Sequence, residues 1–383
     1  MFRMRILFIT NYFPKPNGIS DAPFLYWRAK YLIEMGFSVS VVKWDQNTSD
    51  FFAKDYSLHD LVNGRFEYDI FVKRVHSLKL INPLYKRKLY QWIKQNFDIV
   101  HFHWLWSMSV FPSIKAWGIP YVVTCHGSDI NKMGTDFNSF YVGRLINKWV
   151  ISSQMNRLNN ADFVTFVSKA LCQKACDMGY VGTSFEIINN GYNSKIFFPG
   201  PNRRSKLTLG FVGNLIPIKR FDKLAYILKL ILDKLDLDQI FIIGSGELRN
   251  QFEKDLNDYS IVDSVSILGK LTQNEVAEYM RNMTVLLLPS RNEGYPCVVN
   301  EAQACGAMVV GANVGGISEA IGTGGAVVDE GVDFEKRFAK KVIELLNSPI
   351  SQERLKEAVL SKSWLKIVDK EAQIYHTVLN NSI

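Results

Sequence analysis

Long apolar runs are missing from this 383-residue chain. Stretches such as Val285 to Leu288 in VLLLPS are far too short to cross a bilayer. The N-terminal MFRMRILFITNYF has no apolar core of signal length, because charged and turn residues interrupt it. The expectation is therefore a cytoplasmic protein. Cysteine is scarce: Cys125, Cys172, Cys176, Cys297 and Cys305 are scattered and odd in number, as reduced thiols would be. Cys172 and Cys176 share a helix face but have no nearby His or further Cys, so they do not form a metal site. There is no low-complexity tract, no repeat at a solenoid period and no recognisable RNA- or DNA-binding module. Repeat scaffolds, disordered chains and nucleic-acid partners are thereby set aside.

The composition, 47% hydrophobic and 21% charged, is that of a folded globular protein. Its length exceeds what one hydrophobic core usually organises, so two domains are expected. The net charge of +8 is unevenly placed. Residues 1–200 carry 23 Lys and Arg against 14 Asp and Glu, a net of +9, whereas residues 201–383 carry 22 against 23. The first half is thus the one suited to an anionic partner.

Along the first half, MRILFIT, FSVSVVKW, DIVHFH, YVVTCH, FVTFVS and FEIINN are short apolar runs, most of them separated by helical stretches such as Ala22 to Met35. Strands written as continuous apolar runs between helices predict a parallel sheet covered on both faces. The rhythm breaks at FFPGPNRRSK, residues 197–206, and restarts with LTLGFVG, QIFIIGSG, SVSILG, VLLLPS, AMVVGA and GGAVVD. The fold class is accordingly α/β, two doubly wound Rossmann-like domains with a ligand cleft between them. Domain boundaries are placed at 1–199, joined by a C-terminal helix about 364–383, and at 200–363.

The strand-end loops of the second half carry the chemistry. Gly213 allows a tight turn after LTLGFVG, and Lys219 in NLIPIK is a compact cation suited to phosphate. Gly244 and Gly246 in IIGSGEL lack the third glycine of the dinucleotide fingerprint and read as a close backbone approach. In RNEGYPCVVNEAQACGAMVV, Pro296 suits a first helical position, and Cys297, Val298 and Val299 offer free amides to a phosphate. Glu293 and Glu301, eight apart, flank that anion site as hydroxyl acceptors, an arrangement that describes a nucleotide sugar. His101 and His103 share one strand face, lining a cleft or filling a core, and Trp104 and Trp106 share the other. Asp236 and Asp238 have the spacing of a cation-binding pair but close a helical stretch, so a solvated helix end is the ordinary reading.

These motifs resemble those of glycosyltransferase family 4, the retaining transferases of the GT-B fold. The family's Glu, seven residues, Glu signature in a context close to EGFPNVLLEAMACGLPVV is similar to EGYPCVVNEAQACGAMVV here, and VGGISE follows from Val314 to Glu319. MRILFIT with Gly18 in the first loop, DIVHFHWLW, TCHGSD at Thr124 to Asp129, VSKAL, IINNGYN, FFP, VGNLIPIKRFDKL and IIGSGEL extend the likeness over essentially the whole chain, in order.

By position, the resemblance implies that Glu293 contacts hydroxyls of the donor sugar and Glu301 the ribose. The backbone of Gly294, Tyr295, Cys297, Val298 and Val299 would meet sugar and diphosphate, with Gly18, Gly213, Asn214 and Arg220 nearby. Lys219 would neutralise the leaving diphosphate, and His126 would reach the donor sugar near the reacting carbon. The chain departs from the family at Asn214, where an arginine is usual, and at Arg220, where glycine is usual; Arg220 or Arg291 is then the candidate replacement cation. The implied reaction is transfer of a sugar from a UDP- or GDP-sugar to a saccharide or lipid-linked glycan, in cell-surface polysaccharide or glycoconjugate synthesis. No metal or cofactor is expected beyond the nucleotide sugar as co-substrate. A nucleotide-sugar epimerase of the same two-domain plan and a catalytically degenerate nucleotide-sugar binder are the alternatives. NPLYKRKLYQWIKQNF, residues 82–97, mixes cations with Tyr85, Tyr90, Trp92 and Phe97; it reads as an amphipathic helix on the sheet or as a contact to an anionic membrane at its inner face.

Overall fold

A computed structural model describes residues 3–15, 22–46, 53–62, 65–111, 118–131, 133, 141–200 and 207–381. The chain divides into two compact units, residues 1–189 with 364–383, and residues 190–363. The division falls between Asn189 and Asn190, before the Pro/Gly-rich stretch, of which residues 201–206 lie outside the described residues.

In the first unit the strands are β1 (Arg5–Thr10), β2 (Ser38–Asp45), β3 (Tyr56–Val62), β4 (Arg65–His76), β5 (Ile99–His103), β6 (Tyr121–Cys125), β7 (Phe163–Phe166) and β8 (Phe185–Ile187). They form one sheet in the order β3-β4-β2-β1-β5-β6-β7-β8. All neighbours run parallel except β3, which pairs antiparallel with β4. This hairpin corrects the all-parallel expectation. Its sequence, YSLHDLV and RFEYDIFVKRVH, scatters polar residues through the strands, as an edge permits, and so lacks the continuous apolar signature of β1, β5 or β6. Burial of Ile6, Phe8, Val41, Ile99, Val100, Phe102 and Val122 closes the sheet against helices.

The helix Pro23–Glu34 has proline at its first turn and packs on the helix Trp364–Asn380 within the same unit. Arg28 and Glu371 form a fully buried ion pair at 3.3 Å between them. Asn82 caps the helix Pro83–Asn96 by accepting from the amides of Leu84 and Tyr85. That helix turns Leu89, Tyr90 and Ile93 inward. Tyr90 is therefore a core residue rather than an interfacial aromatic, and the exposed apolar side chains are Leu78, Ile81 and Leu84 at the helix entry.

The second unit contains β9 (Thr208–Val212), β10 (Gln239–Ile243), β11 (Val265–Gly269), β12 (Val285–Leu288), β13 (Met308–Ala312) and β14 (Gly325–Val328). Their order is β11-β10-β9-β12-β13-β14, all parallel. Counted within the unit this is 3-2-1-4-5-6, the Rossmann order, and its direction reverses between β9 and β12. One core joins Leu209, Phe211, Ile240, Ile242, Val285 and Leu287 of the strands to Phe221, Leu224, Leu228, Phe338 and Val342 of the covering helices. Each fully buried aliphatic contributes about 1.5–3 kcal/mol, so the strands' positions are strongly determined.

Two glycines of the IIGSGEL loop answer to sterics. A Cβ on Gly244 would stand 1.9 Å from the Gly213 carbonyl oxygen, and one on Gly246 2.4 Å from that of Leu215. The close backbone approach read from the sequence is present, locked by Gly213 N–H donating to Ile243 and Leu215 N–H donating to Ser245, each at 3.0 Å.

Candidate active site

In an open parallel sheet the ligand crevice lies beyond the strand ends where the order reverses. In the second unit that point is flanked by the loops after β9 and β12, which supply most of the residues singled out in the sequence. The loops are tied together. Arg291 N–H donates to the Ile218 carbonyl at 2.8 Å, and Arg220 Nε donates to the Pro289 carbonyl at 2.9 Å. Between them Lys219 Nζ donates to Glu293 Oε1 in a short ion pair, with the side chains 23% and 14% exposed.

Lys219 ends a short turn, Pro217–Lys219, and Arg220 follows in a left-handed conformation at φ 54°. That turn aims the two successive cations differently. The Arg220 guanidinium lies over the Phe334 ring at 3.9 Å and is paired with Glu330 and Glu335. Arg291 makes a bidentate pair with Asp222 at 2.6 and 2.8 Å and also donates to the Pro217 carbonyl. Both candidate replacements for an arginine at position 214 are thus engaged in holding the loops, and Asn214 itself is exposed. Of these cations, Lys219 is the one paired to a residue expected to bind donor.

The helix after β12 spans Cys297–Ala304, so Pro296 is its N-cap residue and not its first helical position. Cys297 and Val298 are half-buried and Val299 is buried. Glu301 is half-buried, and no hydrogen bond to its carboxylate is found among the described residues. Burial without a partner pushes its pKa up to about 7. The Gly294–Tyr295 turn is clamped from two sides. Asn190 Nδ2 donates to the Tyr295 carbonyl at 3.2 Å while Asn300 Nδ2 donates to the Asn190 carbonyl at 2.9 Å. On the other side Gly316 N–H donates to the Glu293 carbonyl at 3.2 Å, and a Cβ on Gly315 would stand 2.0 Å from that same oxygen. Sequence reasoning gave Asn190, Asn300 and Gly315 no role, although IINNGYN and VGGISE contain two of these contacts.

In the first unit, His126 follows β6 and is buried, with Nε2 3.1 Å from His103 Nδ1. Asp129 builds the loop around it, accepting from the amides of His126 at 3.2 Å and Gly127 at 2.9 Å through Oδ1 and from Leu105 at 2.9 Å through Oδ2. Burial raises the Asp129 pKa to about 6, and the amides pull against that rise. Sequence reasoning missed Asp129; its signal was its place three residues after His126, where an acceptor for turn amides is useful. Trp104, at a left-handed φ of 66°, packs its ring 4.6 Å from His126 and stacks on Trp106.

His101 and His103 are both core residues. His101 Nδ1 meets Tyr375 Oη at 2.7 Å and its Nε2 meets Thr124 Oγ1 at 2.6 Å. Burial above all, with the Arg28 charge adding to it, lowers the pKa of all three imidazoles well below the usual range, so they are neutral at pH 7. Gly18 lies outside the described residues. The helix Phe221–Leu232 ends before Asp236 and Asp238, which corrects the helix-end reading of that pair; both lie in the connection to β10, where Asp238 accepts from Leu207 N–H at 2.7 Å.

Two family models match the chain. "Glycosyltransferase Family 4" covers residues 26–195 and "Glycosyl transferases group 1" covers residues 193–361. The chain belongs to glycosyltransferase family 4. As a family 4 member it is 27% identical to an uncharacterised glycosyltransferase of Methanocaldococcus jannaschii, over 73% of this chain and 76% of that protein. It is 22% identical to the gpi3 subunit of the Schizosaccharomyces pombe phosphatidylinositol N-acetylglucosaminyltransferase, over 97% of this chain and 80% of that one. The structure of Anabaena HepE in complex with UDP superposes with a TM-score of 0.75 at 17% identity, covering 98% of this chain and 100% of that one. The family 4 chain is thus a glycosyltransferase of GT-B fold. Among the described residues, no helix is long and apolar enough to cross a membrane.

Proposed function

We propose that this glycosyltransferase moves a sugar, with retention of anomeric configuration and without a metal ion, from a UDP- or GDP-sugar to a saccharide or lipid-linked glycan. The observation that carries the reading is the switch-point constellation of the second unit. A lysine and a carboxylate paired to it stand in the loops after β9 and β12, and the helix Cys297–Ala304 that follows carries a half-buried carboxylate with no hydrogen bond among the described residues. Breaking the anomeric C–O bond leaves positive charge on the sugar and negative charge on the diphosphate. Lys219 and the amides of Cys297 and Val298 stabilise the second of these electrostatically. Glu293 accepts from sugar hydroxyls, Glu301 from the ribose, and neutral His126 contacts the donor sugar. That HepE is solved with UDP and with UDP-glucose supports a nucleotide-sugar donor.

The test is calorimetry with a panel of UDP- and GDP-sugars, followed by donor consumption with saccharide and lipid-linked acceptors. Anomeric analysis of the product then decides retention, and activity after exhaustive chelation decides the metal. Turnover to an epimer without acceptor, or binding with no turnover against any acceptor, would replace this reading with the epimerase or the degenerate binder.

A lipid-linked acceptor places the enzyme at the inner face of a membrane. What favours this is the exposed trio Leu78, Ile81 and Leu84 beside Lys79, Lys86, Arg87 and Lys88 on the net-positive half. Apolar side chains ringed by cations suit an anionic interface. Sedimentation with vesicles of anionic lipid at low salt should pull the protein down, and Leu78→Ser with Ile81→Ser should release it.

A further inference from the structure

The solvated face of a helix is ordinarily written in charged residues, and the helix Tyr141–Asn159 of the first unit departs from that. Its sequence, YVGRLINKWVISSQMNRLN, has no Asp or Glu. Met155 and Leu158 are buried and mark its inward side, where Gln154 Nε2 donates to Ser109 Oγ at 2.7 Å. Turned away from them, Trp149, Ser152, Ser153, Asn156 and Asn159 follow one another at intervals of three and four residues, the spacing of one helix face. Trp149 is 72% exposed, and Ser152 and Asn156 are exposed as well. A cavity of about 710 Å³ lies along this stripe, lined by the same five side chains and by Gly179. Asn159 fixes the Gly179 turn to the helix: its Nδ2 donates to the Gly179 carbonyl at 3.1 Å and its Oδ1 accepts from Val181 N–H at 2.9 Å. The Asn159 end of the groove adjoins the start of β6, where Tyr121 Oη donates to the Asn160 carbonyl at 2.9 Å, whereas His126 follows the other end of that strand. The groove therefore runs toward the edge of the sheet opposite the His126 loop.

A single exposed tryptophan explains nothing by itself, so its surroundings decide. The indole offers a flat apolar face and an N–H donor, and serine hydroxyls and asparagine amides can both donate and accept. Among the described residues no hydrogen bond engages the Ser152 hydroxyl or the Asn156 amide nitrogen. A ligand matched to this lining carries apolar C–H faces for the indole and uncharged hydroxyls for the serines and asparagines, which is the chemistry of a neutral saccharide. Trp149 and Asn159 are about 15 Å apart along the helix, longer than one sugar ring. A second copy of the chain suits the groove less well. An interface between copies buries about 800 Å² per partner around a cluster of apolar side chains, and Trp149 is the one exposed large apolar side chain among the described residues of this helix. We propose that this groove is a second, non-catalytic binding site for a neutral oligosaccharide, with the Trp149 ring as its stacking platform and Ser152, Ser153 and Asn156 as its hydrogen-bonding edge. It is independent of the donor and acceptor proposed above.

The test lays the fluorescently labelled full-length protein on an array of neutral oligosaccharides of glucose, galactose, mannose and N-acetylglucosamine, from disaccharides to hexasaccharides, with acidic glycans beside them. Wild type should be retained on a neutral series, more strongly on its longer members. Titration with the retained glycan then gives Kd by calorimetry. Trp149→Ala should raise that Kd by about 10-fold or more, as loss of a central aromatic anchor does, and Trp149→Tyr, which keeps a ring, should recover most of the affinity. Ser152→Glu with Asn156→Glu, which brings charge into the groove, should weaken binding as Trp149→Ala does. These side chains are solvent-facing, so thermal melting should be unchanged in every variant, which separates a lost contact from a lost fold. Glu293→Gln, altered in the second unit, should bind the glycan as wild type does, which separates this groove from the transfer site. A wild type that holds no neutral glycan or only acidic ones, or a Trp149→Ala protein with wild-type affinity, would overturn the proposal. So would self-association of wild type in sedimentation that Trp149→Ala abolishes, since the groove would then belong to a second copy.

Discussion

Glu293→Gln should tighten the binding of UDP or GDP while nearly abolishing sugar transfer. In the structure the Lys219 ammonium is paired with Glu293, so a diphosphate that recruits this lysine must first displace the carboxylate. The size of that competition follows from burial. Two unit charges about 4 Å apart attract by about 4 kcal/mol in the effective dielectric of a protein surface. Desolvation and side-chain ordering offset much of this: exposed pairs are worth about 0.2–1 kcal/mol, while breaking a buried pair costs about 3–5 kcal/mol. With the side chains 23% and 14% exposed, the pair lies between these limits, and about 1–2 kcal/mol is a reasonable net value. Removing the carboxylate should then improve nucleotide affinity by about 5- to 30-fold. Nucleotides without the sugar are the right probe, because they offer no sugar hydroxyls for Glu293 to accept. Calorimetry of UDP and GDP reads the gain, and donor consumption should fall by about 10²-fold or more as a charged acceptor in the site is lost. Lys219→Met supplies the control: the gain from Glu293→Gln must vanish in its presence. Unchanged or weaker nucleotide binding in Glu293→Gln, or a gain that survives without Lys219, would refute the competition.

Three further outcomes are expected. The Glu301 carboxyl, raised to about 7 by burial, stays protonated in the folded chain at pH values where the unfolded chain has ionised it. Its stabilising contribution is present below about pH 4.5 and is lost by about pH 7, a difference of about 3 kcal/mol at most. Glu301→Gln should therefore raise the melting temperature at pH 8 more than at pH 4.5, and it should flatten a wild-type rise in nucleotide affinity between pH 6 and 8; equal shifts at both pH values would count against this. Gly315→Ala drives a Cβ into the Glu293 carbonyl and adds about 1–2 kcal/mol of left-handed strain, so turnover should drop about 10²-fold in a protein that still folds; retained turnover would show that the Glu293 backbone is free to shift. Arg220→Ala breaks the contacts to Pro289, Glu330, Glu335 and Phe334 and should cost about 2–3 kcal/mol of stability by thermal melting, with nucleotide affinity of the folded protein preserved. A lost affinity with unchanged melting would return Arg220 to the diphosphate.

The strands that flank the site were legible because a parallel strand buried on both faces writes its apolar residues consecutively, as in LTLGF, VLLL and IVHFH. The hairpin of β3 and β4 was not, because β3 is an edge strand with one neighbour and its sequence YSLHDLV mixes polar with apolar residues. Local spacing also carried the close approach at Gly244 and the shared face of His101 and His103, which needed only a turn and a period of two. The Lys219–Glu293 pair is of another kind. Its members are 74 residues apart and meet because β12 returns beside β9, a fact about strand order that no local pattern contains. The same holds for Asn190 and Tyr295, 105 residues apart.

Strand order also explains why an arginine next to a candidate phosphate site need not serve it. Arg220 and Lys219 are adjacent, yet the left-handed φ of Arg220 turns the chain into the helix Phe221–Leu232, and the guanidinium is held by Phe334, Glu330 and Glu335. Arg291 is fixed on Asp222 in the same helix. With Asn214 neutral, these two arginines brace the loops and Lys219 is left facing a carboxylate that is itself a proposed sugar ligand. On the reading proposed here, sugar hydroxyls that engage Glu293 release Lys219 to the diphosphate, so the cation that stabilises the leaving group is freed by the group about to be transferred. A site built this way ties leaving-group stabilisation to occupancy by a sugar, which a second, permanently available arginine would not do.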